Sequence, residues 1–360
     1  MKKQPITDQC CNNPYCPLHG QLNQGNIKRH SLYTTKQGRS RRYCCKICGR
    51  TFCSTASTAY YRLHKPRKLF DEVAQMSVEG VGKSSISRIK GISWNTVASW
   101  QQKAVKFAKQ ANEDLLHGYE LIELQADEIC TFVGSRNNQT WIHTVLEVWS
   151  RLWIGSVVGR RSYRNVKRAI NEAVSNGRFT HRFLFTTDGY EPYAWAAKSV
   201  LGISCIYAQV IKKRRNNRVV RVNRNLIAGT NNQLERALFE SEDSSTINTS
   251  FIERHNPTIR QGSAYLNRRT ACHCRQEEYL EGHLHLLKCY YNFIRPHRSL
   301  RFGSEVRTPA MEAGLVRRKL SFRDVFLGRA IFLFYLFLVI FVTRNQVARR
   351  TRNCSLATVA

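Results

Sequence analysis

Acidic residues are scarce in this sequence of 360 residues. It contains 25 Asp plus Glu against 57 Lys plus Arg, which gives a formal net charge of +32 at pH 7. The positive charges of such a globular protein repel one another unless a polyanion neutralises them. The shortage of acids therefore indicates an anionic partner. Nucleic acid is the first candidate partner and a membrane surface is the second. The basic excess begins early, because residues 1–110 hold 20 Lys plus Arg and only 4 Asp plus Glu.

Two further absences concern secretion and membranes. Residues 1–5 carry charges with no apolar core behind them, so we expect no cleavable signal peptide. The apolar run at residues 330–342 is 13 residues long, which is short of the ~20 residues that cross a bilayer. A buried helix, a membrane-surface segment and an appended tail all fit this run. We favour the tail and expect no membrane partner.

Cysteines, in contrast, are concentrated at the N-terminus, where seven of the 13 fall within the first 53 residues. Without secretion, such clustering indicates metal ligands rather than disulfides, and a reducing compartment. Two short-spaced pairs, Cys11 with Cys16 and Cys45 with Cys48, suit a tetrahedral zinc ion that folds a small module and leaves no open position for catalysis. Three neighbouring cysteines could replace members of this ligand set, namely Cys10, Cys44 and Cys53. Free thiols or a redox pair are the alternatives.

Residues 69–110 have apolar positions at helical spacing, interrupted at Gly80 to Gly82 and again at Gly91. Three helices with a glycine-containing turn before the last helix are typical of a helix-turn-helix. Ser93 is a suitable N-cap for the last helix, which would be the recognition helix. Its candidate DNA-binding residues are Asn95, Thr96, Ser99 and Gln101. A short helical bundle gives the same pattern, and the net charge favours DNA contact.

Beyond about residue 118 the apolar pattern changes from the helical period to the period of strands. The pattern predicts strands at 119–128, 140–148, 152–158 and 183–187, and helices at 164–175 and 193–200. Three consecutive strands followed by alternating helix and strand indicate an α/β domain with a mixed sheet.

Two of these predicted strands end in an acid, Asp127 and Asp188. If the strands lie side by side, both carboxylates reach one edge of the sheet, and a helix near residues 250–260 could bring Glu253 to the same rim. Three converging carboxylates would bind two Mg²⁺ or Mn²⁺ ions and activate water or a hydroxyl against a phosphodiester. A plain Asp-Gly turn at residue 188, and acids that are solvated or paired with Arg, are the alternatives.

Three neighbouring features affect this prediction. Glu128 follows Asp127 directly, so alternation along a strand would turn its side chain to the other face. Pro257 lies four residues after Glu253, so the helix must start close to Ser250 or kink. The interval between Asp188 and Glu253 holds a basic segment that could follow phosphates or form a solvated loop. Its cations are Lys212, Lys213, Arg214, Arg215, Arg218, Arg221 and Arg224.

Several segments, taken in order, carry a family resemblance. They are Ala126-Asp127-Glu128, Phe132-Val133-Gly134-Ser135, Thr187-Asp188-Gly189-Tyr190, Ile252-Glu253-Arg254 with Asn256, Arg260 and Gln261, and Asn267-Arg268-Arg269-Thr270. With the cysteine module and the helix-turn-helix before them, they resemble the transposases of the insertion-sequence-one family over residues 8–327.

This resemblance implies an RNase H-like core with a DDE triad at Asp127, Asp188 and Glu253. It also implies that the protein binds double-stranded DNA at the inverted repeats of its element, cuts the ends and joins the freed 3′-hydroxyls to target DNA. Two DNA ends must be paired, so we expect at least a homodimer, with no small-molecule substrate, in a prokaryotic cytoplasm. Further candidate DNA-binding residues are Arg41, Arg42 and Arg260.

The expected organisation is a multidomain α/β protein. We expect a zinc-binding module at 8–56, a helix-turn-helix at 66–112, an RNase H-like catalytic domain at 118–300 with a basic insertion at 209–245, and a partly disordered or appended segment at 301–360.

Two other functions fit the same sequence. One is a DNA-binding protein without catalysis, such as a regulator or a decayed transposase. The other is a peripheral membrane protein that uses residues 330–342. His283 and His285 could be metal ligands, and core histidines are the alternative.

Overall fold

The computed structural model describes residues 6, 9–35, 38–216, 218–241, 244–268, 270 and 272–328. The described chain is a mixed α/β structure that divides into two compact units. The first unit combines the segment that ends at Arg67 with the segment that starts at Asp324, and the second is Lys68–Arg323. Residues 301–323, expected in a separate C-terminal segment, therefore belong to the second unit.

The first unit is built on a small antiparallel sheet in the order β1-β2-β3. Its strands are β1 (Ile27–Thr35), β2 (Gly38–Cys45) and β3 (Thr51–Cys53). Three of the five buried residues in the cluster beside this sheet are cysteines, and the other two are Ile27 and Phe52. So few aliphatic and aromatic side chains bury little surface, so this part of the unit needs another source of stability.

The second unit begins with three helices at the spacing that the sequence predicted. They are α1 (Arg67–Val78), α2 (Lys83–Lys90) and α3 (Trp94–Leu115). Ser93 caps α3 as expected, because its side chain accepts a hydrogen bond from the Thr96 backbone N–H. Gly91 ends α2 with a left-handed φ of 60°, a conformation that glycine adopts without strain.

The rest of the second unit alternates strands with helices. Its strands are β4 (Tyr119–Glu120), β5 (Glu123–Phe132), β6 (Gln139–Glu147), β7 (Leu152–Gly159), β8 (Gly177–Arg178), β9 (Phe183–Asp188), β10 (Cys205–Arg215), β11 (Arg218–Ala228), β12 (Arg301–Phe302) and β13 (Glu305–Val306). Its helices are α4 (Tyr163–Ser175), α5 (Glu191–Ala196), α6 (Asn231–Glu240), α7 (Ser250–Gln261), α8 (Glu277–Cys289) and α9 (Pro309–Glu312), and α10 (Phe322–Phe326) crosses into the first unit. Short π-helical turns follow α5 at Ala197–Leu201 and α8 at Tyr290–Ile294.

The main sheet has six strands in the order β11-β10-β9-β5-β6-β7. The strands β5, β6 and β7 are antiparallel neighbours, whereas β9 runs parallel to both β5 and β10. The expected side-by-side placement of the first and fourth predicted strands is confirmed. The sheet is mixed, as the order of elements predicted.

The position of β9 in the sheet follows from its composition. Its first five residues, Phe183 to Thr187, are all buried, as is typical of a strand covered on both faces. Helix α4 packs on β7 and presents Val166, Ala169 and Ile170 to the core. Gly155 in β7 allows this close approach, because a Cβ atom there would lie 2.7 Å from the Ala169 carbonyl oxygen.

The basic segment after β9 is not the solvated loop that was one alternative. Residues 205–210 of β10 pair with β9, and β10 continues with β11 as an antiparallel hairpin that closes at Arg215 opposite Arg218. The hairpin therefore extends past Asp188, the last residue of β9. We call residues 211–224 the basic hairpin.

Candidate functional site

Three carboxylates meet where two neighbouring strands of the main sheet separate. The strand β5 pairs with β9 only as far as Gln125 opposite Thr186, just before the acids. Asp127, Glu128 and Asp188 each offer one carboxylate oxygen, and these oxygens all lie within 4.8 Å of one another. Oxygen donors at this spacing could hold a divalent cation such as Mg²⁺ or Mn²⁺. We call these three residues the carboxylate cluster.

The position of Glu128 contradicts the expectation from strand alternation. Its carboxylate was expected on the opposite face from Asp127, but it joins the cluster. Among the described residues no strand pairs with the β9 side of β5 beyond Gln125, so side chains from both faces can reach into the opening. The strand itself stays regular there, since Asp127 and Glu128 pair in register with β6, and the Glu128 N–H donates to Oδ1 of Asp127 at 2.8 Å.

Burial and repulsion between the carboxylates raise the pKa values of two members of this cluster. Burial raises the pKa of Asp127 to about 6 and that of Glu128 to about 7, and the charge of Asp188 adds to both shifts. Carboxyl groups with raised pKa values at a shared site are typical of functional positions. A bound cation would favour the ionised forms and offset the repulsion.

Arg161 is a cation at this cluster that the sequence prediction missed. Its Nη2 lies 3.6 Å from Oε2 of Glu128, and its guanidinium carbon lies 3.9 Å from the centroid of the Tyr190 ring. Its charge lowers the pKa of Asp127 and of Glu128, against the larger effect of burial. The available signal was a basic pair directly after the third predicted strand, which by itself resembles many surface pairs.

Glu253 lies in the first turn of α7, which starts at Ser250, one of the two outcomes that Pro257 left open, and continues past this proline to Gln261. Its carboxylate is outside the group of oxygens within 4.8 Å, but its charge adds to the effect of burial on the pKa of Asp127. Its Oε1 accepts hydrogen bonds from Nζ of Lys212 and from Oγ1 of Thr249. Glu253 is therefore close to the cluster and bonded to a basic side chain.

An open cavity of about 890 Å³ contains both the carboxylate cluster and Glu253. Among the described residues, three cations also line it: Lys212, Arg260 and Arg268. Acids together with cations suit an anionic substrate that is held partly through metal ions and partly by direct contacts.

Two buried amides hold α7 against β5. Oε1 of Gln125 accepts from the backbone N–H groups of Phe251 and Ile252, both at 3.1 Å, while its Nε2 donates to the Asn248 carbonyl oxygen at 3.0 Å. One turn after Glu253, Nδ2 of Asn256 donates to Oδ2 of Asp127 at 2.8 Å. Asn256 was one of the resemblance residues, whereas Gln125 was not singled out.

Arg260 is committed to the protein backbone. Its Nη2 donates to the Cys130 carbonyl oxygen at 3.0 Å, and its Nη1 donates to the Leu266 carbonyl oxygen at 3.1 Å. Burial lowers the pKa of this guanidinium. As a candidate DNA-binding residue it remains a prediction, and its present bonds fix the turn after α7.

The predicted cysteine ligands form a second cluster, in the first unit. The Sγ atoms of Cys11 and Cys48 are 3.6 Å apart, and those of Cys16 and Cys45 are 3.9 Å apart. Zinc–sulfur bonds of about 2.3 Å in a tetrahedron place neighbouring sulfurs about 3.8 Å apart. All four sulfurs lie within 4.8 Å of one another, so this group could hold zinc.

Contacts around Cys45 and Cys48 favour the thiolate form, and the Cys48 pKa is lowered to about 6, chiefly by a hydrogen bond from the Arg50 backbone N–H. Burial raises the pKa of Cys11 to about 12 and also raises that of Cys16, so a metal ion would be needed to hold these two as thiolates. Nδ2 of Asn26 lies 3.4 Å from Sγ of Cys45. Two of the competing cysteines bond elsewhere, since Cys44 contacts the Gly49 carbonyl oxygen and Cys53 contacts Thr55.

The candidate DNA-binding residues of α3 divide into two groups. Asn95 and Ser99 are exposed, and Thr96 is half-buried with its hydroxyl bonded to Ser93. Gln101 does not face solvent freely, because its Nε2 donates to Oγ of Ser77 on α1 at 2.6 Å. Gln101 therefore joins two helices.

Exposed Trp94, which was not singled out, lies at the start of α3 with Nζ of Lys83 5.3 Å from its ring centroid.

The other candidate DNA-binding residues lie on two strands. Lys213 and Arg215 are exposed on β10, and the side chain of Arg214 lies outside the described residues. On β2, Arg42 is exposed with its guanidinium carbon 5.8 Å from the Tyr33 ring centroid, and Arg41 is half-buried. Lys213 and Arg215 are therefore exposed to solvent, where an anionic partner could reach them.

The two histidines of α8 are packed in the protein. His283 is buried and its Nε2 lies 3.4 Å from the Gly262 carbonyl oxygen, and burial lowers its pKa to about 4. Burial also lowers the pKa of His285 to about 4. Among the described residues neither belongs to a metal-ligand group.

The expected tail at residues 330–342 lies outside the described residues. Across the ranges that are described, no helix has both the length and the apolar character needed to cross a bilayer.

Comparisons with protein-family models and with curated proteins found no match to this chain.

Proposed function

We propose that this chain is a DNA transposase of the insertion-sequence-one type, with Asp127, Asp188 and Glu253 as its catalytic carboxylates. The observation that carries this proposal is that these three acids and Glu128 line one cavity. The order of motifs along the chain and the net charge of +32 support DNA as the substrate. The proposed fold of Lys68–Arg323 is RNase H-like, which its mixed sheet and the acids on β5 and β9 support.

The proposed chemistry is cleavage and transfer of DNA strands. Two bound Mg²⁺ or Mn²⁺ ions would activate the attacking water or hydroxyl and stabilise the leaving oxygen. Asp127, Asp188 and Glu253, together with Glu128, would supply their oxygen ligands. Asn256 keeps the carboxylate of Asp127 oriented, and Gln125 keeps the first turn of α7, with Glu253, against the same strand.

Other parts of the chain would position the DNA. In this proposal α2 and α3 form a helix-turn-helix that contacts the element ends through Asn95 and Ser99, and the basic hairpin contacts phosphates through Lys213 and Arg215. The four-cysteine cluster would hold a structural zinc ion. Because two element ends must be paired, the active form would be at least a homodimer.

The direct test is strand cleavage by the purified protein on a duplex that carries the inverted repeat of the element. With Mg²⁺ or Mn²⁺ we expect cleavage at the element boundary, and Asp188→Asn should lower the rate by roughly a hundredfold or more, because a cation ligand is lost.

Asp114→Asn is the matched control, because it removes a carboxylate that bonds Gln110 on α3, and it should cleave normally. If Asp188→Asn cleaves as fast as the parent, the catalytic assignment is wrong.

The second candidate function is DNA binding without catalysis. It is favoured by one observation, the ion pair that engages Glu253 with Lys212. A protein of this kind would bind the inverted repeat but leave it uncut with either metal ion.

A further inference from the structure

Lys212 differs from the other cations of the basic hairpin in where its side chain lies. It lines the cavity that holds the carboxylate cluster, whereas Lys213, Arg215 and Arg218 are exposed and do not line it. Its Nζ forms an ion pair with Oε1 of Glu253.

The strand register explains this difference. Val210 on β10 lies opposite Asp188 on β9, and residues two apart on a strand share a face. Lys212 therefore projects from the same face as Val210. It lies two residues after Val210 and so beyond the end of β9. Lys213 projects from the opposite face. The basic hairpin thus places one ammonium group over the site and the next one outside it.

The ion pair is of a kind that can be exchanged. The side chains of Lys212 and Glu253 are 27% and 44% exposed, and pairs at such positions are weak because water screens them. Glu253 is also held by Oγ1 of Thr249, so its carboxylate keeps one hydrogen bond when the lysine leaves. A lysine on a flexible stem can move from this oxygen to another anion nearby.

Among the three described cations that line the cavity, the ammonium group of Lys212 is the best placed to move from Glu253 to a phosphate. The guanidinium of Arg260 donates to two backbone carbonyl oxygens and fixes the turn after α7. Arg268 is exposed and lies beyond that turn. A phosphate brought to the carboxylate cluster would therefore meet the Lys212 ammonium from the β10 side of the cavity.

We propose that Lys212 contacts the reacting phosphate, and that its pairing with Glu253 is exchanged for this contact when Glu253 binds a divalent cation. This role rests on the proposed transposase function for its substrate, a DNA phosphodiester. The competition between Lys212 and a divalent cation for Glu253 does not depend on that function and can be measured without DNA.

The first experiment is a calorimetric titration of the DNA-free full-length protein with Mn²⁺. We expect Lys212→Met to bind Mn²⁺ roughly three- to fivefold more tightly, because a competing cation is removed from Glu253. Lys212→Gln should act in the same direction. Lys213→Met removes the same charge from the opposite face of the strand and should change the affinity much less.

A double-mutant cycle ties the effect to Glu253. In a Glu253→Gln background, Lys212→Met should leave the Mn²⁺ affinity unchanged, because the carboxylate for which both cations compete is absent. The proposed exchange is contradicted if Lys212→Met and Lys213→Met change the Mn²⁺ affinity equally. It is also contradicted if the effect of Lys212→Met persists in the Glu253→Gln background.

The second experiment is single-turnover cleavage at saturating DNA and Mn²⁺. We expect Lys212→Met to slow strand cleavage about tenfold or more, because the positive charge that contacts the reacting phosphate is lost. Lys212→Arg restores that charge and should recover part of the rate. Lys109→Met is the control, since it removes a lysine that pairs with Glu113 on α3, and it should cleave normally.

The outcomes separate the two proposals. If the parent protein cleaves and Lys212→Met cleaves equally fast, the phosphate contact is wrong and the transposase function stands. If the parent protein leaves every inverted-repeat duplex uncut, the transposase function and the phosphate contact are both wrong, while the Mn²⁺ titration still decides the exchange.

Discussion

At the scale of single residues, Glu128 shows how an opening in a sheet changes the meaning of strand alternation. Neighbouring residues of a paired strand face opposite sides of the sheet. The sequence-based prediction therefore places the side chains of Asp127 and Glu128 on different faces. In the structure the pairing of β5 with β9 stops at Gln125, and both carboxylates share one site with Asp188. A side chain can turn toward an edge where no neighbouring strand blocks it.

We predict opposite effects of Glu128→Gln on stability and on metal binding. Without metal ions the variant should be more stable by roughly 1–2 kcal/mol at pH 8, because a buried charge beside Asp127 and Asp188 is removed. Its affinity for Mn²⁺ should fall about tenfold or more, because a carboxylate ligand is lost. Thermal unfolding in EDTA and calorimetric titration measure the two effects.

Glu235→Gln, at an exposed position of α6, is the control and should change neither quantity. An unchanged Mn²⁺ affinity in Glu128→Gln would show that this carboxylate is not a ligand.

At the scale of elements, α7 depends on contacts with β5 for its position. Its N-cap residue, Thr249, makes no side-chain capping bond, and Gln125 accepts from two N–H groups of the first turn instead. Pro257 inside the helix removes one further backbone donor. Contacts from β5 therefore compensate for a helix that is weakly specified by its own sequence.

We predict that Gln125→Met loosens the start of α7. The free energy of unfolding should fall by roughly 2 kcal/mol, because buried N–H groups and the Asn248 carbonyl oxygen lose their partners. Hydrogen exchange of the Phe251 and Ile252 amides should be faster, and the Mn²⁺ affinity should fall because Glu253 is less fixed. Mass spectrometry of exchanged peptides measures the local effect.

Gln209→Met is the control, because Gln209 is also buried but donates to the Tyr207 hydroxyl on its own strand. Equal exchange of the Phe251 and Ile252 amides in both variants would contradict a positioning role for Gln125.

At the scale of the whole molecule, the two units differ in what stabilises them. The unit Lys68–Arg323 has an extensive aliphatic and aromatic core, including Trp153, Phe185 and Ile170. In the first unit, the cluster of buried residues around the four sulfurs holds only Ile27 and Phe52 besides cysteines. A metal ion at the four sulfurs would supply the stabilisation that such a small core lacks.

We predict one zinc ion per chain, with loss of order in the N-terminal unit when it is removed. Cys48→Ser should reduce the zinc content to well below one, because a tetrahedral site loses a thiolate, and the free energy involved is on the order of 10 kcal/mol. Atomic absorption measures the metal, and limited proteolysis should show cleavage within residues 9–53 while Lys68–Arg323 persists.

Cys53→Ser is the control for this prediction, because Sγ of Cys53 contacts Thr55 outside the cluster. Full zinc content in Cys48→Ser would show that the four-cysteine assignment is wrong.

Local patterns were sufficient to predict the three N-terminal helices of the second unit, the strands β5, β6, β7 and β9, and the helices α4 and α7. The helix start at Ser93, the central strand ending at Asp188 and the start of α7 at Ser250 were all confirmed. The first two depend on residues close together in sequence, a capping side chain and a continuous apolar run, whereas α7 runs through Pro257 and has its first turn held by Gln125 of β5. The mixed sheet followed from the order of these elements.

Contacts between distant residues could not be predicted in the same way. Arg161 reaches the carboxylate cluster, Gln101 is bonded to α1, and the basic segment forms a hairpin, none of which a local pattern specifies. Each outcome depends on which surfaces meet when the chain packs.

The sequence by itself determined the residue types available for chemistry, the cysteine pairs, the cationic character and the helices and strands with a clear apolar period, because these depend on composition and short spacing. Only the tertiary structure decided that Glu128 joins Asp127 and Asp188, that Glu253 pairs with Lys212, and that Arg260 is bonded to the backbone. Those outcomes depend on where the pairing of β5 with β9 ends and on the hydrogen bonds by which Gln125 holds α7, and both are contacts between residues far apart in the sequence.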